Sequence, residues 1–350
     1  MQLSDFDYYL PDELIAQTPI EPRDHSRLLQ LDKNTWDIEE AKFFNILDTL
    51  WENDVLVLNK TKVINARLHG YITNIEGNEK EVEIFLHKQL DDTTWDCLVF
   101  PGKKLKPGKK VEFSLEKSGP VIMTAEIKDI SDSGRIVEFS KWWLEFMEII
   151  EKLWEIPLPP YIKEKLKQSE RYQTVFNEVS GSVAAPTAWL HFTPELIEKL
   201  KNKWVQFEKV LLHVWLGTFK NVEVEDVTTH NMHKEYIELE EDVANRLNEY
   251  KSQWKRIIAV GTTSIRVLES FSDKKTGLIK AGSMDTDIFI YPGYTWKFVD
   301  GIITNFHLPK STLVMLVSSF AWKQNIENAY KYAVEHKFRF FSFWDAMFIQ

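Results

Sequence analysis

The chain has 350 residues, of which 44% are hydrophobic and 27% are charged, and its net charge is −10 at pH 7. These values are typical of a globular protein with one large or two smaller domains, and the acidic balance excludes indiscriminate binding to nucleic acid. The sequence lacks an apolar run near the ~20 residues that span a bilayer and the basic start of a signal peptide. The lone Cys97 excludes an internal disulfide and a cysteine-based zinc cluster. We therefore expect a cytoplasmic protein that does not contact the membrane.

The first part of the chain predicts strands around one helix. Residues 28–31 predict a strand, residues 43–51 a helix, and the apolar run Asp54–Asn59 a buried strand. Short alternating segments follow between turn signals, at residues 81–86, 95–100, 121–126 and 135–139, and residues 141–153 predict a helix. Several short strands at this spacing favour a small antiparallel β-barrel.

Helices and strands alternate in the rest of the chain. The predicted helices are 194–203, 240–252, 264–271, 311–321 and 325–337, and the predicted strands are 207–214, 256–260, 287–291 and 299–304. This alternation is typical of α/β proteins. We predict an α/β fold in which residues 1–65 and 154–350 form a discontinuous α/β catalytic domain and residues 66–153 form an inserted small antiparallel β-barrel domain.

The most informative run is Val183–Glu195, in which small residues precede a tryptophan, a histidine and a helix start. Thr193 is a good N-cap and Pro194 suits the first helical turn. The run therefore predicts a tight loop that places His191 just before a helix. A loop fixed in this way is a common place for catalytic or binding residues.

Polar residues also follow three predicted strands. One strand runs into Gly261–Arg266, whose backbone N–H groups suit an anion, although Thr263 or Ser264 could instead only cap the following helix. A second strand runs into Asn305–His307, and His213 lies on a third. Because α/β proteins bind ligands at the carboxyl ends of their strands, we expect these loops to converge on one pocket with the loop Thr187–His191.

Two other clusters each allow two interpretations. His230, His233 and Glu235 have a spacing that permits metal binding, but a substrate-binding or structural pair is the competing hypothesis. A lysine-rich segment around two glycines is either a solvated hairpin or a phosphate-contacting surface, and its lysines are Lys103, Lys104, Lys106, Lys109 and Lys110. The glycine-rich dinucleotide and Walker A patterns and the nucleophile-elbow pattern are absent.

Taken together, several colinear segments resemble one family over essentially the whole chain. They are 10–16, 22–28, 59–67, 157–162, 171–176, 184–192, 259–264, 304–309 and 340–347. This pattern resembles the S-adenosylmethionine:tRNA ribosyltransferase-isomerases of queuosine biosynthesis. The resemblance implies an α/β domain with an inserted β-barrel. It also implies that the ribosyl part of S-adenosylmethionine moves to 7-aminomethyl-7-deazaguanine at the tRNA wobble position, giving epoxyqueuosine with release of adenine and methionine. S-adenosylmethionine is then a co-substrate, the modified tRNA is the partner, and no metal is implied.

Such a reaction needs a base, because a carbon next to a sulfonium must lose a proton. His191 and His307 are the first candidates and His213 is the next. Adenine must leave with a donor or acid beside it, and Asp345 or a histidine could serve.

The two substrates need their own binding groups. For S-adenosylmethionine, whose carboxylate needs N–H groups or arginine, we predict Thr187, Gly261, Thr262, Thr263, Ser264 and Arg266. For the tRNA and its target base, through phosphate contacts and aromatic stacking, we predict Arg23, Arg67, Arg171, Tyr172, Phe192, Asn305, Phe306, Lys103 and Lys104. We expect a monomer.

Tryptophan is unusually frequent and glycine unusually rare, with 13 of each. Eight tryptophans stand where the family has glycine, namely Trp36, Trp154, Trp189, Trp204, Trp215, Trp254, Trp322 and Trp344. We hypothesise a gene whose UGA codons encode glycine but were translated as tryptophan. If the tryptophans are genuine, Trp189 and Trp215 are expected to intrude on the pocket, and the alternative function is that of a catalytically impaired tRNA-binding homologue. A second rival is another transferase that uses a nucleoside donor.

Overall fold

A computed structural model describes residues 1–350 except 17, 19, 65, 74–78, 117–118, 132–133, 154–177, 215–221 and 341–344. The chain forms two compact units. The first comprises Met1–Lys62, Pro160–Ser180 and Ala185–Gln350, and the second comprises Val63–Pro159 with Gly181–Ala184.

The strands and helices of both units are numbered here in chain order. The strands are β1 (Arg27–Leu31), β2 (Ile38–Lys42), β3 (Asp54–Asn59), β4 (Thr61–Val63), β5 (Arg67–Thr73), β6 (Glu79–Gln89), β7 (Thr94–Phe100), β8 (Lys110–Phe113), β9 (Met123–Ile130), β10 (Arg135–Phe139), β11 (Val179–Ser182), β12 (Gln206–Leu212), β13 (Glu235–Leu239), β14 (Arg256–Val260), β15 (Gly282–Thr286), β16 (Gly301–Asn305) and β17 (Ala346–Ile349). The helices are α1 (Ile46–Thr49), α2 (Trp143–Lys152), α3 (Pro194–Asn202), α4 (Glu241–Ser252), α5 (Thr262–Phe271), α6 (Thr312–Ala321) and α7 (Lys323–Glu335).

In the first unit, nine strands of the described residues form one sheet in the order β15-β13-β12-β3-β14-β16-β17-β1-β2. Strands β12, β3, β14 and β16 are parallel, so their carboxyl ends lie along one edge of the sheet. Strands β17 and β1 run the opposite way, since β17 is antiparallel to β16 and parallel to β1. Their first residues therefore lie at that same edge, which we call the carboxyl edge.

The hydrophobic core of this unit fixes the segment that leads into α3. All six residues of β3 are buried, and Trp189 and Phe192 pack with Leu56 and Ile258 in one buried cluster. Helix α3 begins as predicted, because the Thr193 side chain accepts a hydrogen bond from the backbone N–H of Leu196 over 3.1 Å. The loop before α3 is thus held by two aromatic side chains in the core and by the helix cap.

The second unit contains a closed barrel, which in its described residues has the strand order β10-β7-β6-β5-β8-β9. Neighbouring strands are antiparallel. Alternate residues such as Ile84, Leu86 and Cys97 are fully buried, as expected for side chains that fill a small barrel. The predicted fold class, α/β with an antiparallel β-barrel, is confirmed.

Some local predictions were wrong. The strand expected at 287–291 lies instead at Gly282–Thr286, where it pairs with β13. The helix expected at 43–51 is a short 3-10 turn, Phe43–Asn45, followed by α1. The apolar residues 288–290 favoured a strand in the sequence, but the residues that pair with β13 are Gly282–Thr286. Among the described residues, no helix is long and apolar enough to cross a bilayer.

Candidate active site

The structure brings three predicted loops together at the carboxyl edge. The side-chain amide of Asn305 donates to Thr187 Oγ1 over 2.9 Å, and its oxygen lies 3.0 Å from His191 Nε2. The Cβ of Ala188 lies 3.6 Å from the position that a side chain on Gly261 would occupy. The loop before α3, the start of α5 and the end of β16 therefore meet in one region.

His191 ends the 3-10 turn Thr187–His191 and is buried. Its Nδ1 lies 2.8 Å from Ser26 Oγ, and its ring stacks on Phe43 with centroids 5.0 Å apart. Burial lowers the pKa of His191 to about 4, because a buried imidazolium loses its hydration. The hydrogen bond that His191 donates to Asn305 Oδ1 and the charge of Asp345 only partly oppose this shift. The ring is therefore neutral at pH 7, with both nitrogens engaged.

His307 is the second buried histidine of this edge. Its Nε2 lies 3.0 Å from Thr304 Oγ1, its backbone N–H donates to Tyr330 Oη over 3.0 Å, and its carbonyl accepts from Tyr8 Oη. Burial lowers its pKa to about 3. The adjacent Phe306 is fully buried among aromatic rings, with the Phe340 centroid 5.1 Å away, so its ring faces the core.

His213 follows β12 and, unlike the other two histidines, is only partly buried. Its Nδ1 lies 2.9 Å from Thr61 Oγ1. The buried amide of Asn59 fixes this corner, because it donates to the carbonyl of Leu212 and accepts from the backbone N–H groups of Leu212 and Thr61. Burial lowers the pKa of His213 to about 4.

The lowered pKa values of these three histidines predict that the folded protein loses stability in acid. Their pKa values of about 4, 4 and 3 lie below the ordinary value of 6.5, so the unfolded chain binds protons that the folded chain excludes. The free energy of unfolding should therefore fall as the pH drops from about 6.5 toward 4, by up to about 1.4 kcal/mol per pH unit for each histidine. Urea denaturation across this range measures the slope. His307→Gln should flatten it, and an unchanged slope in that variant would contradict the assignment.

The amino end of α5 is the second component of the site. Gly261 has a φ of 86°, in the region that favours glycine, and the helix starts at Thr262. Ser264 Oγ donates to the Val260 carbonyl over 2.9 Å, and the buried Thr263 Oγ1 has no partner among the described residues. The first N–H groups of a helix lack intrahelical acceptors, so they can bind an anion.

Arg266 lies farther along α5 and is fixed in the interior. Its guanidinium forms an ion pair with the buried Glu235 and donates to the Thr286 carbonyl over 3.3 Å. These contacts leave less of the guanidinium for a substrate carboxylate than the sequence suggested. The ion pair also engages the carboxylate of Glu235, which the sequence offered as a metal ligand. In the described part of the chain, no group of three or more His, Cys, Asp or Glu residues is arranged to hold a metal ion.

The charges of Asp345, Arg339 and Arg23 act on the pKa of His191. The buried Asp345 carboxylate accepts hydrogen bonds from the backbone N–H groups of Arg27 and Arg339, over 2.7 and 2.8 Å, and the Arg339 guanidinium lies 3.6 Å away. Arg339 and Arg23 both oppose protonation of His191. Burial lowers the pKa of Arg23 itself. Asp345 thus ties β1 to the segment before β17.

The remaining predicted residues lie elsewhere. Arg67 belongs to the barrel unit, where it lies 3.3 Å from Glu83, and Lys103 and Lys104 are exposed in a turn of that unit. Arg171 and Tyr172 lie outside the described residues.

Ser26 and Arg339 were not predicted as parts of this region. Ser26 immediately precedes β1, whose first residue lies at the carboxyl edge only because β1 is antiparallel to β16 across β17. The direction of a strand at the far side of a sheet depends on its pairing with distant segments, so the neighbouring residues do not indicate it. A polar residue just before a buried strand was the only available signal.

A family model described as queuosine biosynthesis protein matches residues 3–349. The chain belongs to this family. It is 51% identical over 349 residues to the S-adenosylmethionine:tRNA ribosyltransferase-isomerase of Carboxydothermus hydrogenoformans, covering 100% of both chains. It also matches the crystal structure of S-adenosylmethionine tRNA ribosyltransferase from Thermotoga maritima, with 38% identity and a TM-score of 0.57 over 99% of this chain and 100% of that one. The predicted family and the predicted enzyme class, a transferase/isomerase of queuosine biosynthesis, are confirmed.

The eight tryptophans that the resemblance places at glycine positions have different environments where the structure describes them. Trp36, Trp204, Trp254 and Trp322 have φ values of 71°, 66°, 61° and 65°, in the left-handed region that favours glycine. Trp189 is instead buried in the core against Phe192, with ring centroids 4.3 Å apart, so the expected intrusion on the pocket is not seen there. Trp154, Trp215 and Trp344 lie outside the described residues.

Proposed function

We propose that this chain transfers the ribosyl part of S-adenosylmethionine to 7-aminomethyl-7-deazaguanine at the tRNA wobble position and isomerises it, with release of adenine and methionine. The observation that carries the proposal is the meeting of Thr187, His191, Asn305 and Gly261 at the carboxyl edge, in a chain that matches its family over residues 3–349. Ligands of α/β proteins bind at this edge.

S-adenosylmethionine is proposed to bind with its carboxylate at the amino end of α5. The N–H groups of Thr262, Thr263 and Ser264 supply positive partial charge there, and Gly261 leaves space for a close approach. Thr263 Oγ1 adds a buried hydroxyl without a partner among the described residues. No metal is proposed in this scheme, because hydrogen bonds from the helix N–H groups and a hydroxyl stabilise the carboxylate.

The proton on the carbon next to the sulfonium is proposed to pass to His213. His191 has both ring nitrogens engaged and His307 is almost fully buried, whereas His213 is partly exposed at the carboxyl edge. Its depressed pKa keeps the imidazole neutral, which a proton acceptor requires.

Basic residues are proposed to contact the tRNA. Arg23 and Arg339 lie near His191 in the first unit, and Lys103 and Lys104 are exposed in the barrel unit. Cationic side chains of this kind bind phosphates without reading sequence. Phe306 is not used for base stacking in this scheme, because its ring is buried.

Adenine release tests the proposal directly. The protein should release adenine from S-adenosylmethionine only when tRNA carrying the 7-aminomethyl-7-deazaguanine base is present, as followed by chromatography. Unmodified tRNA serves as the control substrate. Binding of the modified tRNA without adenine release would support the impaired homologue instead, and adenine release with free phosphate as acceptor would support another transferase.

A further inference from the structure

Four polar side chains form one hydrogen-bonded chain across the carboxyl edge. Ser26 Oγ lies 2.8 Å from His191 Nδ1, His191 Nε2 lies 3.0 Å from Asn305 Oδ1, and Asn305 Nδ2 lies 2.9 Å from Thr187 Oγ1. The first three residues are 2%, 5% and 3% exposed, and only Thr187 is partly exposed. The chain therefore runs from the interior to an accessible hydroxyl.

The Asn305 amide sets the direction of every hydrogen bond in this chain. Its Nδ2 can only donate, so Thr187 Oγ1 accepts, and its Oδ1 can only accept, so His191 carries its proton on Nε2. In the neutral ring Nδ1 is then an acceptor, and Ser26 Oγ donates to it. The hydroxyl hydrogen of Thr187 is left for a further acceptor, and none is found among the described residues.

We propose that Ser26, His191 and Asn305 are positioning residues that polarise the Thr187 hydroxyl, which donates a hydrogen bond to negative charge that develops on the bound sulfonium nucleoside. The inference rests on the proposed function. Aligned hydrogen bonds strengthen one another in a buried site, and a donor held in place before the reaction stabilises the transition state.

The position of Thr187 fits this role. The next residue, Ala188, lies 3.6 Å from the side-chain position of Gly261, so Thr187 stands beside the proposed S-adenosylmethionine site. His191 cannot serve as the proton acceptor while this chain is intact, because its only lone-pair nitrogen is occupied by Ser26. The structure thus moves His191 from the role of base, expected from the sequence, to that of a positioning residue.

Substitutions at Thr187 give the kinetic test. Thr187→Val keeps the shape of the side chain and removes the hydroxyl, so kcat for adenine release should fall about 10²-fold with a nearly unchanged KM for S-adenosylmethionine. Thr187→Ser should restore most of kcat. A wild-type kcat in Thr187→Val, an effect confined to KM, or a Ser variant as slow as the Val variant would overturn the proposal.

The protonation pattern of His191 gives a test that does not depend on turnover. In the ¹⁵N-histidine-labelled protein, His191 should be protonated on Nε2 and not on Nδ1 at about pH 7. Ser26→Ala should perturb these signals and lower kcat, while Ser26→Thr should keep both. A proton on Nδ1 would reverse the hydrogen-bonded chain and refute the inference. Absence of adenine release from the wild-type protein would instead refute the proposed function, whatever the His191 spectrum shows.

Discussion

Replacing His213 by Asn is expected to slow adenine release by about 10²-fold or more, the effect typical of losing a general base. Asn keeps a polar atom near the place of Nδ1, which lies 2.9 Å from Thr61 Oγ1, but it cannot accept the substrate proton. Single-turnover measurement with saturating S-adenosylmethionine and modified tRNA reports the chemical step.

His307→Gln is the matched control for this substitution. The side-chain amide of Gln can take the place of Nε2, which lies 3.0 Å from Thr304 Oγ1. His307 is a histidine like His213, but it is buried. We expect this variant to retain turnover close to that of the wild-type protein. If His307→Gln abolishes turnover in a folded protein while His213→Asn does not, the base is His307 and our assignment is wrong.

Replacing Trp36, Trp204, Trp254 and Trp322 by Gly is expected to stabilise the protein. Each has a φ between 61° and 71°, where a side chain other than glycine costs about 1–2 kcal/mol. After the larger unfolded-state entropy of glycine is subtracted, a gain of about 1 kcal/mol at each position remains. All four side chains are more than 60% exposed, so their removal leaves little cavity. Chemical denaturation of the fourfold variant measures the sum.

Two of these positions show the backbone reason clearly. After α3, the backbone N–H of Trp204 donates to the Lys201 carbonyl and that of Val205 to the Leu200 carbonyl. This pattern defines a Schellman motif, whose left-handed residue is usually glycine. Trp254 ends α4 with the same pair of bonds from residues 254 and 255.

Trp51→Gly is the control, because Trp51 is exposed but lies outside the left-handed region. It should not stabilise the protein, since Lys203 Nζ lies 4.1 Å above its ring and would lose that contact. Equal effects of Trp51→Gly and the fourfold change would contradict the φ argument.

The gene should carry UGA codons at the eight tryptophan positions, and UGG codons there would refute the recoding hypothesis.

Much of the fold was predictable from short-range patterns. The period of apolar residues located β3, β14 and α3 almost to the residue. The alternating segments indicated the barrel, whose closure depends on pairing between strands. Thr193 marked the start of α3 because capping is a local interaction between a side chain and the next backbone turn.

The site was predictable only in part, because it depends on strand direction. The sequence located the loops at Thr187, Gly261 and Asn305, since each follows or precedes a recognisable element. It did not show that β17 and β1 run opposite to β16, which brings Ser26 and Asp345 to the carboxyl edge. Nor did it distinguish a histidine with both nitrogens engaged from one available to a substrate. Those properties arise from pairings between distant segments.

Strand β17 lies between β16 and β1, and it pairs Ala346 with both Asn305 and Leu28. Strand β1 can pair early with β2, which follows it in the sequence, but its other neighbour, β17, is synthesised more than 300 residues later. Contacts between such distant segments slow the search for the native state. We therefore expect the hydrogen-bonded chain from Ser26 to Thr187 to be assembled only after β17 has been translated.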